Sequence, residues 1–266
     1  MNNWKEEEIF IVGKTYPVPS PKYLDTVCTG GITRDEKWIR LYPVSYRYLE
    51  MRKQYKMYSW IKAKVKKNMR DHRSETHIVD EKSLSVIREV KSWDERRKII
   101  LPLKVDCLEH LIEQNSKDWK SVSMGIFEIE YIDFYWEKTP REWNARQKTY
   151  MSQMGLSFEP HRQPVDKLPY NFKLHYKCKD NPKCKGHKQS LLLWEYGQAF
   201  RNFTEIYGSE ENALKKMKEA FKEKIVNPKN EHYVLTGTLH KHPTTWVVGN
   251  VFCPPKKEYH QRHLIG

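Results

Sequence analysis

The chain has 266 residues, of which 48 are Lys or Arg and 34 are Asp or Glu, and its formal net charge is +14 at pH 7. That length is sufficient for one large or two small domains, and a content of 16 Tyr, 9 Trp and 9 Phe residues argues against a disordered chain. The sequence has no run of about 18 apolar residues and no apolar signal core near its N-terminus, so it predicts a soluble, cytoplasmic protein without a membrane partner.

The first half of the chain predicts mostly β-strands. Alternation of apolar and polar residues, with turn residues between the runs, favours strands over Glu8–Tyr16, Asp25–Thr33, Trp38–Tyr42 and Tyr58–Val65. The segment 68–98 is very polar and is predicted to include a long loop. Within it, Ser92 with Glu95 three residues later is typical of a helix start.

The second half predicts helices as well as strands. Strict alternation makes Gly125–Trp136 the clearest strand of the chain, and the polar segment Lys138–Arg162 is predicted as a helix and an open loop. The other predicted elements are helices over Cys107–Glu113, Lys188–Phe203 and Ser209–Ile225, a strand over Leu168–Cys178, and a hairpin of Tyr233–Thr238 with Thr245–Phe252.

These elements predict an α+β fold with mostly antiparallel strands, several helices and a small Cys/His hairpin. The polar segment after residue 137 is the predicted boundary between a basic, β-rich half, 1–140, and a second half, 163–266. One compact domain is the alternative.

The cysteines point to metal binding. Five cysteines, an odd number in a chain without a secretory signal, indicate reduced thiols or metal ligands. The run HYKCKDNPKCKGH has the spacing His175-x2-Cys178-x5-Cys184-x2-His187. Because zinc binds four nitrogen or sulfur ligands in a tetrahedron, this run predicts a zinc knuckle with these four ligands.

His175 meets a geometric objection as the fourth ligand. In a regular strand His175 and Cys178 point to opposite faces, so His175 can bind only if the strand bends. His110, Cys253 or another distant group is the alternative ligand. A polar hairpin with structural thiols and no metal is the other interpretation, and a bound metal is expected to be structural rather than catalytic.

The segment after the Cys/His run is a candidate catalytic helix. Glu195, Gln198 and Arg201 lie at helical spacing and so share one side. Glu195 is a candidate to activate water, and Gln198 and Arg201 are candidates to orient a base or a phosphate. An ordinary solvated helix edge is the simpler interpretation.

The runs VCTGGI, WIRLYPVSYR, CKGHKQSLLLWE and VFCPP carry a resemblance that extends over most of the chain. Together they resemble an uncharacterised group of small, basic prokaryotic proteins with a C-x5-C-x-G-H…W-E motif. The resemblance implies no activity. It also implies an Asp before the Trp-Glu pair, where this chain has Leu193, which weakens a catalytic role for a pair of carboxylates.

Basic residues in the first half predict a surface for DNA or RNA. Residues 51–100 alone carry fifteen cationic and seven acidic side chains, and cations spaced two residues apart on a strand suit a phosphate backbone. The candidate contacts are Arg40, Arg47, Lys62, Lys64, Lys66, Lys67 and Arg70, with Trp60 as a ring for base stacking. Core aromatics alternating with solvated lysines are the alternative.

Two further patterns are candidate sites. His240 and His242, at the tip of the C-terminal hairpin, are candidates to contact phosphates or a metal, although an exposed polar turn explains them as well. Glu128, Glu130 and Asp133 are candidate Mg²⁺ ligands of a nuclease, with an exposed strand edge as the simpler interpretation.

The leading functional hypothesis is a protein that binds DNA or RNA and hydrolyses it. The reaction would be strand cleavage, or base excision of a flipped nucleotide as in a DNA glycosylase, and a role in defence against foreign or modified DNA is part of this hypothesis. A non-catalytic reader of nucleic-acid shape or of modified bases is the first alternative. An enzyme acting on a small anionic nucleotide at the Gly30-Gly31 turn is the second.

Overall fold

The structure, a computed structural model, describes residues 3–155, 165–225 and 227–257. Its strands are β1 (Lys5–Lys14), β2 (Val18–Pro19), β3 (Asp25–Thr33), β4 (Trp38–Val44), β5 (Ser59–Lys67), β6 (Thr76–Val79), β7 (Ser85–Glu89), β8 (Met124–Lys138), β9 (Tyr170–Cys178), β10 (His187–Ser190), β11 (Tyr233–Leu239) and β12 (His242–Phe252). Its α-helices are α1 (Trp93–Ile100), α2 (Leu108–Lys117), α3 (Ala145–Gly155), α4 (Trp194–Tyr207) and α5 (Glu210–Ile225). The α+β class predicted from the sequence is confirmed.

The chain divides into two units, each built from two separate segments. The first unit contains residues 1–91 and 138–171, and the second contains residues 92–137 and 172–266. The boundary predicted from the sequence places residues 92–137 in the first half. In the structure these residues belong to the second unit. Their strand β8 supplies the middle of the second sheet.

The first unit is built on a closed sheet. Strand β1 pairs with both β3 and β5, β3 pairs with β4, β4 runs parallel to β6, and β6 pairs with β5. These pairings close five strands into a ring, which leaves no free edge among them. Apolar side chains on these strands, including Ile9, Ile11, Leu41 and Ile61, are fully buried.

The second unit is a five-stranded sheet with helices, and a parallel bridge of Leu191 with Val248 connects the end of β10 to β12. Its strand order is β10-β9-β8-β11-β12, and α4 and α5 pack together as a helical pair. Phe134 of β8 stacks on Phe221 of α5 at 4.5 Å between ring centroids and on Phe172 of β9 at 5.9 Å. The aromatic ring of Phe134 therefore joins the sheet to the helices in the core of this unit.

Most predicted elements are present, with shifts at their ends. The strand over Asp25–Thr33 has the predicted bounds, and the hydroxyl of Ser92 accepts a hydrogen bond from the backbone N–H of Glu95, as expected for a helix cap. The polar segment 68–98 contains strands β6 and β7. Of the predicted helix and loop over Lys138–Arg162, α3 is present, and residues 156–162 lie outside the described residues.

The predicted helix over Lys188–Phe203 is wrong in its first part. His187–Ser190 forms β10, which pairs with β9, and the helix begins at Trp194. Pairing with a strand that is distant from the helix signal decides the conformation of this short segment. Among the described residues, no helix combines the length and the apolar character that a bilayer span requires.

A glycine at the closest approach of β1 and β3 provides a test of the closed sheet. Gly31→Ala should lower the free energy of unfolding by about 1–3 kcal/mol, because overpacking a core strains it. A Cβ at this position would lie 2.4 Å from Cγ2 of Ile9 and 3.0 Å from the carbonyl oxygen of Phe10. Gly249→Ala is the control, since its Cβ would approach nothing nearer than a carbonyl oxygen at 3.7 Å. Denaturant unfolding that gives Gly31→Ala the stability of wild type would contradict this packing.

Candidate metal centre

Four side chains of the second unit place potential metal-ligand atoms close together. Ligand atoms of Glu109, Cys178, Cys184 and His187 all lie within 4.8 Å of one another. Glu109 is in the first turn of α2, Cys178 ends β9, Cys184 lies in the β9–β10 connection and His187 begins β10. Both cysteines are buried. These groups can hold a metal ion.

The β9–β10 connection is a tight turn that brings its two cysteines together. The side-chain oxygen of Asn181 accepts a hydrogen bond from the N–H of Lys183, and its carbonyl oxygen accepts one from the N–H of Cys184. Gly186 has a φ of +98°, a conformation that side chains disfavour. The N–H of Cys178 points at the sulfur of Cys184, 3.3 Å away.

Helix α2 reaches the turn through close packing on β8. A Cβ on Gly125 of β8 would lie 2.4 Å from a methyl carbon of Leu111, so the glycine makes room for the helix. At the start of α2, the N–H of Leu108 donates to the sulfur of Cys178 at 3.4 Å. The helix therefore presents Glu109 to the two cysteines, although the carboxylate is 78 residues before His187 in the chain.

The distances between donor atoms suit a small tetrahedral ion. Nε2 of His187 lies 3.3 Å from Sγ of Cys184 and 2.9 Å from Oε1 of Glu109. Bond lengths of about 2.0–2.3 Å in a tetrahedral site place neighbouring ligand atoms roughly 3.3–3.8 Å apart. The Cys184–His187 distance falls within this range, the Glu109–His187 distance is shorter, and the remaining pairs lie within 4.8 Å.

Burial and hydrogen bonding shift the pKa values of Glu109 and Cys178 in opposite directions. Burial alone would raise the pKa of Glu109, but hydrogen bonds from its own N–H, Cys184 and Asn181, and the charge of His187, lower it to about 2. Burial raises the pKa of the Cys178 thiol, and the N–H of Leu108 only partly offsets this rise. A bound cation would favour the thiolate.

Three of the four sequence-predicted ligands lie in this group, and His175 does not. His175 pairs with Lys188 across β9 and β10, three residues before Cys178 on a regular strand, and so faces away from it. The fourth donor is Glu109, which the sequence analysis missed. An acidic residue in the first turn of a helix is common, and nothing in the sequence indicates that it meets a turn so far along the chain.

The predicted row of lysines on β5 has acidic neighbours on β1. Lys62 lies directly opposite Glu8 and Lys64 opposite Glu6 in the antiparallel pair, and the ammonium group of Lys62 is 2.7 Å from the carboxylate of Glu6. Lys66 lies over the ring of Trp4 at 4.7 Å. Much of the positive charge on this face is therefore matched within the sheet.

Other predicted nucleic-acid contacts are engaged inside the first unit. Arg40 and Trp60 are each 3% exposed, which does not fit a role in contacting phosphates or stacking on bases. Arg47 forms an ion pair with buried Asp25 at 2.6 Å, and the ammonium group of Lys67 donates to backbone carbonyls of the 73–76 segment. Arg70 is exposed.

The predicted catalytic helix residues are separate from the four donors. Glu195 lies in the first turn of α4 and is not a member of the group. The amide of Gln198 donates to Asn202 of the same helix, and Arg201 is half-buried. His240 and His242 are exposed at the β11–β12 turn.

Comparison with known families divides the chain at residue 103. Residues 104–265 match the domain of unknown function DUF8757, and residues 5–102 match the domain of unknown function DUF8758. No curated protein matches the chain. These matches agree with the resemblance to an uncharacterised group, and they assign no activity.

Substitution of donors tests the site. Cys184→Ser should abolish metal binding and lower the melting temperature, because it removes a thiolate ligand. Glu109→Gln should weaken metal affinity by at least about 10-fold, because it removes the negative charge of a carboxylate that lies 2.9 Å from His187. His175→Gln and Cys253→Ser are the controls, since both residues lie outside the group. Elemental analysis and chelator competition measure these effects. Unchanged metal content and melting temperature in Cys184→Ser would contradict the site.

Proposed function

We propose that this chain, which belongs to the DUF8757 family, is a nucleic-acid-binding protein whose second unit is organised by a zinc ion. The observation that carries the zinc assignment is the donor set of Glu109, Cys178, Cys184 and His187. Thiolate and imidazole ligands select zinc over Mg²⁺ or Ca²⁺, which prefer oxygen.

Zinc at this position would be chiefly structural. Four protein donors complete a tetrahedral site, which is the arrangement of structural zinc centres. The ion would connect α2 to the β9–β10 turn, in addition to the hydrogen bond from the N–H of Leu108 to the sulfur of Cys178. Structural zinc contributes directly to folding free energy, so the ion would also stabilise the unit.

Net charge supports nucleic acid as the partner. The chain has 14 more cationic than acidic side chains. An ion pair removes one charge of each sign, so the pairs within the protein leave this excess unchanged. A protein surface of this charge attracts polyanions and gains affinity by releasing their counterions.

Salt dependence tests this function. Binding of a labelled duplex should weaken about 100-fold between about 50 and 200 mM salt, because four phosphate contacts give a slope near −3.6 in a plot of log affinity against log salt. Fluorescence anisotropy measures the slope. Binding that is indifferent to salt would indicate a small-ligand pocket instead, and no binding at the lower salt concentration would contradict the proposal.

Hydrolysis of the bound nucleic acid is a second candidate, favoured by the position of Glu109. Its Oε1 lies 2.9 Å from Nε2 of His187, and its Oε2 is buried with no hydrogen-bond partner among the described residues. Held by Cys178, Cys184 and His187 alone, an ion would leave this carboxylate free to accept a proton from water. The water would then attack the phosphorus of a phosphodiester and displace a sugar oxygen, or attack the anomeric carbon of a nucleotide and displace the base, and the proton held by the carboxylate would pass to the leaving group.

A gel assay tests hydrolysis. Labelled duplex, with and without modified cytosines, is incubated with the protein and analysed before and after hot alkali. Breaks without alkali indicate strand cleavage, and breaks only after alkali indicate base excision. Glu109→Gln, assayed with enough zinc to give it the metal content of wild type, should retain duplex binding and lose the breaks. Strands that wild type binds and leaves intact under both conditions would contradict hydrolysis and favour a non-catalytic reader.

A further inference from the structure

The segment that carries the candidate zinc ligands is also the most basic stretch of the second unit. Residues 173–188 contain six lysines and one acidic residue, Asp180. Three of these charges are engaged: Lys173 pairs with Glu137, Lys179 with Glu128, and Asp180 with Lys104. The remaining four, termed the hairpin lysines, are Lys177, Lys183, Lys185 and Lys188.

The hairpin lysines are exposed and carry unmatched charge. All four are exposed to solvent. Within residues 3–155, 165–225 and 227–257, no ion pair involves any of them. Their ammonium groups are therefore available to a partner.

Strand register places two of these lysines on one outer face. Lys188 pairs with His175, and Lys177 follows His175 by two residues, so both belong to the same side of the β9–β10 pair. Tyr176 and Cys178 alternate with them and are buried, at 0% and 3% exposed. Lys183 and Lys185 flank Cys184 in the turn, at the end of the same hairpin.

We infer that this face of the β9–β10 hairpin binds the phosphate backbone of duplex DNA, through Lys177, Lys183, Lys185 and Lys188. The inference rests on the proposed nucleic-acid binding and specifies its surface. It differs from the β5 row, where Lys62 and Lys64 face glutamates of β1. A lysine without an ion-pair partner can bind a phosphate directly, whereas a paired lysine must first break its ion pair with a carboxylate.

The chemistry of the face favours a duplex over a single strand. Single strands are bound by exposed rings on which the bases stack, and Phe172 and Tyr176 of this hairpin are 2% and 0% exposed. The face of Lys177 and Lys188 also carries the half-buried imidazole of His175, and its exposed lysines suit contacts to the backbone of a duplex. Strand β9 also pairs within the five-stranded sheet, so the contacts that we propose are to the phosphate backbone and not to base edges in a groove. The duplex that we propose is B-form DNA, and duplex RNA is an outcome of the test.

The experiment compares two variants of equal charge. K177Q/K183Q/K185Q/K188Q removes the hairpin lysines, and K56Q/K62Q/K64Q/K66Q removes four lysines of the first unit. The hairpin variant should reduce the salt slope for a DNA duplex by about 3–4, because each lost phosphate contact removes about 0.9. The first-unit variant should change it by less than about 1. A melting temperature equal to that of wild type establishes that each variant is folded, and K177R/K183R/K185R/K188R should restore the slope.

The outcomes separate this inference from the proposed function. Wild type that does not bind duplex DNA at low salt overturns the proposed function and this inference together. Wild type that binds with a slope shared by the hairpin variant overturns the inference alone, as does an equal loss in the first-unit variant. Duplex RNA or single-stranded DNA that competes better than duplex DNA overturns the choice of partner.

Discussion

The second unit depends on bringing two cysteine sulfurs, an imidazole nitrogen and a carboxylate oxygen within 4.8 Å of one another. Three of these groups come from one short turn, and the fourth comes from the first turn of α2. Without a cation, this arrangement places a carboxylate of low pKa beside the Cys178 thiol, whose ionisation is opposed by burial. A bound metal ion would offset this effect of burial, because it binds the deprotonated form of its ligands. The packing of Leu111 against Gly125 fixes the position of α2 on β8, and therefore the position of the Glu109 carboxylate.

The sequence predicts the ligands that lie close together along the chain, and it misses the one that lies far from them. Cys178, Cys184 and His187 share one turn, so their spacing alone indicates a common ligand. The alternation of a strand was also enough to question His175. Glu109 lies 78 residues before His187, and only the packing of α2 on β8 brings it to the turn. Its nearest sequence signal, an acidic residue at a helix start, is explained equally well by the helix dipole.

The same limit applies to the fold and to the charged surfaces. The local alternation of residues predicts that Lys62 and Lys64 share one face of β5. It does not reveal that β1 pairs with β5 and sets glutamates opposite them. Pairing also explains the misplaced helix start, because His187–Ser190 becomes a strand through its contact with β9. Local sequence thus predicts which residues share a face, whereas long-range pairing decides what that face meets.

Candidate metal ligands and exposed lysines alternate along the same segment of the chain. Lys183 precedes one candidate ligand, Lys185 follows it, and Lys188 follows another, so an ion that fixes Cys184 and His187 also fixes the backbone beneath these lysines. A lysine on an ordered backbone loses less conformational freedom when it binds a phosphate than one on a flexible loop. A zinc ion that never touches nucleic acid would therefore still raise the affinity for it, and loss of the ion would weaken binding through the turn rather than through any contact of its own.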